Sequence, residues 1–191
     1  VDLIRTTVDS VERQVATSMP RGDRATLQAA VLNYAREIAF DAAKVYARAA
    51  EVRGAWDARL EALVMDAVIR GEADESVVSR ASTLGWREPS GLCVVIGDLP
   101  DDPGAAEEMR SAAVSRGLDV LIAPQGDRLV VLLGGDFESD ASAVGCTAVL
   151  APWFGPGPVV VGPVVDSLRQ AVSSARSAVS GRRAAPAWPD A

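Results

Sequence analysis

The chain has 191 residues, 49% of them apolar, with 19 basic and 26 acidic side chains for a formal charge of −7. That composition supports a packed core, is too acidic for a nucleic-acid footprint of its own, and contains no apolar run near the ~20 residues a bilayer crossing needs. The absence of histidine excludes Ser-His-Asp, Cys-His and HExxH chemistry. With no charged-then-apolar leader at the start of the sequence, a cytoplasmic protein that meets no membrane is expected.

From residue 1 to 19 the apolar positions Leu3, Ile4, Val8, Val11 and Val15 recur at helical spacing, and Pro20 to Asp23 break the pattern. Asp23 reads as the N-cap of a long helix over 24–53. Its near-heptad seam of Leu27, Val31, Tyr34, Ile38, Ala42, Val45, Ala49 and Val52 suits either a core strut of a bundle or the dimerising spine of an oligomer; the second is the preferred reading, with Leu27, Val31, Tyr34, Ile38 and Val45 as interface candidates. Gly54 is expected to permit a bend before a second helix over 57–70, with Leu60, Leu63, Val64, Ala67 and Val68 inward and Gly71 as its stop. A short helix over 75–84 follows, and a domain boundary is placed in the polar loop 87–91. Residues 1–86 therefore read as a helical oligomerisation domain.

Downstream come four strand-length apolar runs and two helical stretches: strand 92–97, helix 105–115, strands 120–123 and 129–133, helix 139–150 and strand 159–165. A closing helix spans 167–183. The order βαββαβ with an extra C-terminal helix gives an α+β chain whose second domain, 91–183, is ferredoxin-like. Right-handed crossovers around the hairpin imply an antiparallel sheet in spatial order 4-1-3-2 with helices on one face. Proline agrees: the two central runs, LCVVIG and RLVVLL, have none, whereas the edge runs meet Pro124, Pro158 and Pro163. Cys93 and Cys146 sit in apolar surroundings without neighbouring ligand residues, so core thiols are expected and neither a metal nor a cofactor is.

The hairpin reads APQGDRLVVLL. Its tip resembles a degenerate GGDEF domain, the cyclic-dinucleotide cyclase module whose signature occupies the same turn. Gly126 and Asp127 match the second Gly and the Asp, Gln125 replaces the first Gly, Arg128 the acidic residue and Leu129 the Phe. The resemblance implies that Arg128 reverses the charge where a divalent metal would sit, so no catalytic residue is expected. Gly134-Gly135-Asp136-Phe137 follows a strand instead of bridging two, and reads as a strand end. Two prolines deny Phe154-Gly155-Pro156-Gly157-Pro158 the free N–H groups of a phosphate cradle.

Residues 53–188 resemble the PucR, or CdaR, type of bacterial transcription regulator. The resemblance rests on Ser79-Arg80-Ala81-Ser82-Thr83-Leu84-Gly85-Trp86 and on VVVGPVVDSLRQAVSSARSAV near the C-terminus, with Ser174-Ala175-Arg176 closest to pattern. It is strongest toward actinobacterial regulators of fatty-acid or mycolic-acid synthase genes. That likeness implies a non-catalytic sensing and oligomerisation region with a long-chain acyl-CoA effector. Promoter DNA would be read by a C-terminal helix-turn-helix not in this chain, and 184–191, AAPAWPDA, reads as the linker toward it. Phe40, Trp56, Met65, Trp153 and Phe154 are the apolar candidates for effector contact. An amino-acid or nucleotide-sensing module on the same fold, and an active nucleotide cyclase, are the alternatives.

Overall fold

The computed structural model describes Thr6 and residues 24–185, with side chains from residue 29 onward. The helix expected over 1–19, the Pro20 break, the Asp23 cap, the Leu27 side chain and residues 186–191 of the tail lie outside the described residues. The chain divides into two compact units, Val1–Ala55 and Trp56–Ala191. The division falls at Trp56, ahead of the 87–91 loop at which the composition places it.

Helix α1 spans Arg24–Arg70, so the two helices expected over 24–53 and 57–70 are a single element that Gly54 does not end. A Cβ at Gly54 would meet nothing within 4 Å, and an exposed helical glycine costs only about 1 kcal/mol against alanine, too little to end a helix this long. In the first unit the described helix is largely exposed, with Tyr34 at 66% and Val45 at 68% accessibility.

In the second unit, the 56–70 portion of α1 buries Glu61, Val64, Met65, Ala67 and Val68, while Leu63, expected inward, is exposed. Helix α2, Glu75–Thr83, is capped by Asp74, whose carboxylate accepts from Ser76 N at 2.9 Å and Val77 N at 3.1 Å. The Ser76 hydroxyl, then the Val77 N–H, hold the Asp74 carboxyl below its usual 3.8. Strand β1 is Gly91–Asp98, helix α3 Ala105–Val114, strand β2 Asp119–Gln125 and strand β3 Arg128–Gly135. Helix α4, Asp140–Leu150, begins with a capping box between Ser139 and Ser142. Strand β4, Val160–Val161, and helix α5, Ala171–Ala184, are the last described elements.

The four strands lie in the order β2-β3-β1-β4, the expected one, with antiparallel pairing throughout. The helices do not share one face. Val64, Met65, Val68, Val77, Ala81 and the inner side of α5 form one core with Leu92, Val94 and Ile96 of β1. Met109 and Ala113 of α3 and Ala143 of α4 form another with Cys93 and Val95. The sheet is covered on both faces, and this explains why β1 is buried from Gly91 to Gly97 without alternation. Residues 60–86 thus belong to the same packed body as the sheet.

Strand β4 is shorter than the expected 159–165. Pro163 lacks an N–H, the chain leaves the ladder at Gly162, and pairing resumes only at the Leu92–Val165 bridge. Among the described residues no helix is long and apolar enough to cross a membrane.

Both cysteines are free; Cys93 is fully buried and Cys146 half-buried. Burial, reinforced by Cys146 and Asp140, pushes the Cys93 thiol up to about 12. The native state therefore keeps a proton that the unfolded chain releases near 9.0, so this contribution to stability is complete below pH 9 and declines as pH rises toward 12. Iodoacetamide at pH 8 is expected to modify Cys146 in the native chain and Cys93 only after denaturation. Mass spectrometry of peptides labelled with and without denaturant checks this, and native labelling of Cys93 would contradict it.

Candidate functional site

The β2–β3 hairpin closes on the Gly126-Asp127 pair, as its sequence suggests. Pro124 pairs with Leu129 and Gln125 with Arg128, leaving Gly126 and Asp127 as a two-residue loop. Gly126 has φ of 66°, and Asp127 is not among the positive-φ residues, the pattern of a type II′ turn that needs glycine first. Leu99 N donates to the Asp127 carbonyl at 3.1 Å, which ties the turn to the end of β1.

Four charged side chains converge on this tip. Arg128 Nε lies 3.6 Å from Asp127 Oδ1, and Arg128 is the register partner of Asp98, the last residue of β1. The Asp98 carboxylate is ion-paired with Arg182 from α5. Arg182 is mostly buried, and its Nε has no hydrogen-bond partner. A side chain at Gly157 would run into the Asp98 carboxylate, so that loop must pass bare. Two carboxylates and two guanidinium groups make a neutral cluster. A hard divalent cation needs several oxygen ligands, and here the better-buried carboxylate already faces Arg182 while Arg128 adds a second positive charge. These residues do not fit a bound magnesium ion. Among the described residues no group of three or more His, Cys, Asp or Glu is placed to hold a metal.

Gln125 is half-buried, Gly126 and Asp127 are exposed, and Leu129 is buried beneath the tip. Asp98 and Arg182 were not singled out in the sequence. The signal available was the carboxylate ending the β1 run; nothing in the sequence links it to a residue 84 positions away. Gly134 and Gly135 close β3, as expected for a strand end, and a Cβ on Gly134 would strike Trp86 and Pro89.

The effector candidates are not brought together. Phe40 and Trp56 are each 61% exposed, whereas Met65 is fully buried in the core shared with α2 and α5. Phe154 is buried on the other face, where its ring occupies the space a Cβ at Gly97 would need. Trp153 is half-buried beside it and donates its indole N–H to Glu108 Oε2 at 3.0 Å. The sheet separates Met65 from the other two. Of the interface candidates, Val31 is half-buried and Tyr34, Ile38 and Val45 are exposed.

Uncharacterized protein Rv2242 of Mycobacterium tuberculosis and uncharacterized protein Mb2266 of Mycobacterium bovis are each 33% identical to the chain over 199 residues, covering 98% of it and 47% of their own length. The chain therefore spans about half the length of the curated relatives it matches. The crystal structure of a regulator of polyketide synthase expression from Bifidobacterium adolescentis shares the fold, with a TM-score of 0.55 at 22% identity over 67% of this chain and 51% of that one. The GGDEF-like domain model matches residues 70–184, from the end of α1 through α5, and the chain therefore belongs to the GGDEF-like domain family.

Proposed function

We propose that the chain is the sensing and oligomerisation region of a cytoplasmic bacterial transcription regulator of the PucR type, with no catalytic activity of its own. Its effector is a long-chain acyl-CoA, its targets are fatty-acid or mycolic-acid synthesis genes, and promoter DNA is met through a helix-turn-helix outside this chain. The observation that carries the reading is the neutral tip: Arg128 and Arg182 already compensate the two carboxylates that the divalent metal of a phosphoryl transfer would need as ligands. The fold shared with a protein described as a regulator of polyketide synthase expression supports the regulatory half. The exposed Tyr34, Ile38 and Val45 on α1 support self-association, since a stripe of this kind wants a partner helix.

Arg128→Glu, which restores the carboxylate, is expected to yield no cyclic dinucleotide from GTP and magnesium, because Asp98 stays tied to Arg182. Turnover by the parent chain or the variant would end the non-catalytic reading. Palmitoyl-CoA is expected to raise the melting midpoint, by the equivalent of about 2.7 kcal/mol at about a hundredfold its dissociation constant. Light scattering should report a dimer or larger; a monomer at high concentration would remove α1 as the association surface.

A further inference from the structure

In the first unit, the apolar residues of α1 keep a strict seven-residue period. Val31, Ile38, Val45 and Val52 occupy the a positions of a heptad frame. The d positions of the same frame are Tyr34, Asp41, Arg48 and Ala55, so two opposite charges interrupt the seam one heptad apart. Val45 and Val52 are among the most exposed apolar side chains of the helix, which leaves the middle of the seam in need of a partner. The charges have little to do in the single chain. Asp41 pairs with Lys44 of its own helix at 3.3 Å with both side chains exposed, a contact that contributes little, and among the described residues Arg48 makes no hydrogen bond or ion pair.

Those two charges decide which way a partner helix runs. In a parallel pair each d residue faces its own copy, so Asp41 would meet the partner's Asp41 and Arg48 the partner's Arg48, two like-charge layers inside the seam. An antiparallel pair sets a residues against d residues and brings the unlike charges together. With the two-fold axis between residues 46 and 47, Val45 lies against the partner's Arg48 and Val52 against the partner's Asp41. Asp41 and the partner's Arg48 then stand one turn apart, about 6 Å along the axis and within reach of a long side chain.

The flanking positions select that register. The g residues are Glu37, Lys44 and Glu51, and g flanks g in an antiparallel pair, so Lys44 lies beside the partner's Glu51 and the reverse. Sliding the pair by one heptad, to an axis at residue 43, would set Lys44 against its own copy and Glu37 against the partner's Glu51. On the other flank the e residues Ala35, Ala42 and Ala49 carry neither charge nor bulk to hold the helices apart.

We propose that residues 38–55 of α1 bind a second copy of this chain antiparallel, with Asp41 and Arg48 setting the direction and Lys44 and Glu51 the register. This rests on self-association through α1 and adds its geometry. The valines and Ile38 supply the buried surface, and the charges discriminate, because the parallel alternative would enclose like charges.

Spin labels on the full chain measure the direction. In a Cys146→Ala background the remaining native thiol, Cys93, is buried and pushed up to about 12, so a thiol-reactive nitroxide goes to Asn33→Cys or Ala47→Cys alone. Both are exposed c positions of the frame. Where light scattering reports a dimer, double electron–electron resonance is expected to give about 40 Å between labels at residue 33 and about half that at residue 47, since each residue of offset from the axis adds ~3 Å. A parallel pair would give one short distance at both positions. Arg48→Asp is expected to weaken dimerisation about tenfold, and Asp41→Arg combined with Arg48→Asp to restore it; in a parallel pair either change would only exchange one like-charge layer for another. A dimer with equal distances at the two positions, or one that Arg48→Asp leaves unweakened, would overturn the antiparallel pairing and leave self-association standing. A monomer at high concentration would overturn both.

Discussion

Arg110→Ala is expected to destabilise the chain by about 3 kcal/mol, a loss of roughly 10 °C in melting midpoint and the largest effect of any ion pair among the described residues. Arg110 on α3 makes a two-pronged contact with Glu61 on α1, Nη1 to Oε1 at 2.7 Å and Nη2 to Oε2 at 3.0 Å. Glu61 is 3% exposed and its Oε1 also accepts from Ile122 N of the edge strand β2 at 3.4 Å. The pair passes around the β2 edge and joins a helix of one core to a helix of the other. Burial makes the two partners unequal. Removing Arg110 strands a carboxylate out of water, but Glu61→Gln leaves Arg110 a third exposed, still 3.5 Å from Glu107. Glu61→Gln should therefore cost about 1 kcal/mol, and Arg110→Met combined with Glu61→Leu should recover most of the loss, because a well-packed apolar pair replaces a buried ionic one at little cost. Urea denaturation of the four chains checks the order. Equal losses for Arg110→Ala and Glu61→Gln would show that water reaches Glu61.

Strand order was legible because it depends on chain order, handedness and where proline can stand, all of which are local or statistical properties of sequence. The second covered face was harder. An amphipathic helix announces that it has a partner but not which surface that is, so 57–70 and 75–84 read equally well as a separate bundle. The unbroken run Leu92-Cys93-Val94-Val95-Ile96 held the missing clue: a strand with one wet face alternates, and this one does not. Glu61 was hidden for a related reason, since a carboxylate inside an apolar stripe looks like an error of phase until Arg110, 49 positions away, is seen beside it. The hairpin tip was legible to the residue, because turn chemistry is local. Its neutrality was not, because Arg182 arrives from the far end of the domain and no spacing rule connects it to Asp98.

The placement of Arg182 depends in turn on how closely α5 lies against the sheet, and Gly162→Ala is expected to test that contact at a cost of about 3 kcal/mol or more. Where β4 leaves the ladder, Gly162 N still donates to the Val94 carbonyl at 2.8 Å, but the Val94 N–H has no strand partner. Ser174 supplies one: its hydroxyl, on α5 and fully buried, accepts from Val94 N at 2.9 Å. The helix reaches that depth only because Gly162 is bare, since a Cβ there would collide with both the carbonyl oxygen and the hydroxyl of Ser174. Ser174→Ala removes the acceptor and leaves a buried N–H unpaired, which should cost about 2 kcal/mol and expose the Val94 amide to faster hydrogen exchange. The two changes are not interchangeable. Ser174→Ala relieves only the hydroxyl half of the Gly162→Ala clash, and the backbone carbonyl stays, so the double variant should be no more stable than Gly162→Ala alone. Rescue by the second substitution would mean that α5 can withdraw from β4 without penalty. In that case the Asp98–Arg182 pair, and with it the neutral tip, would be a loose surface contact instead of a consequence of the fold.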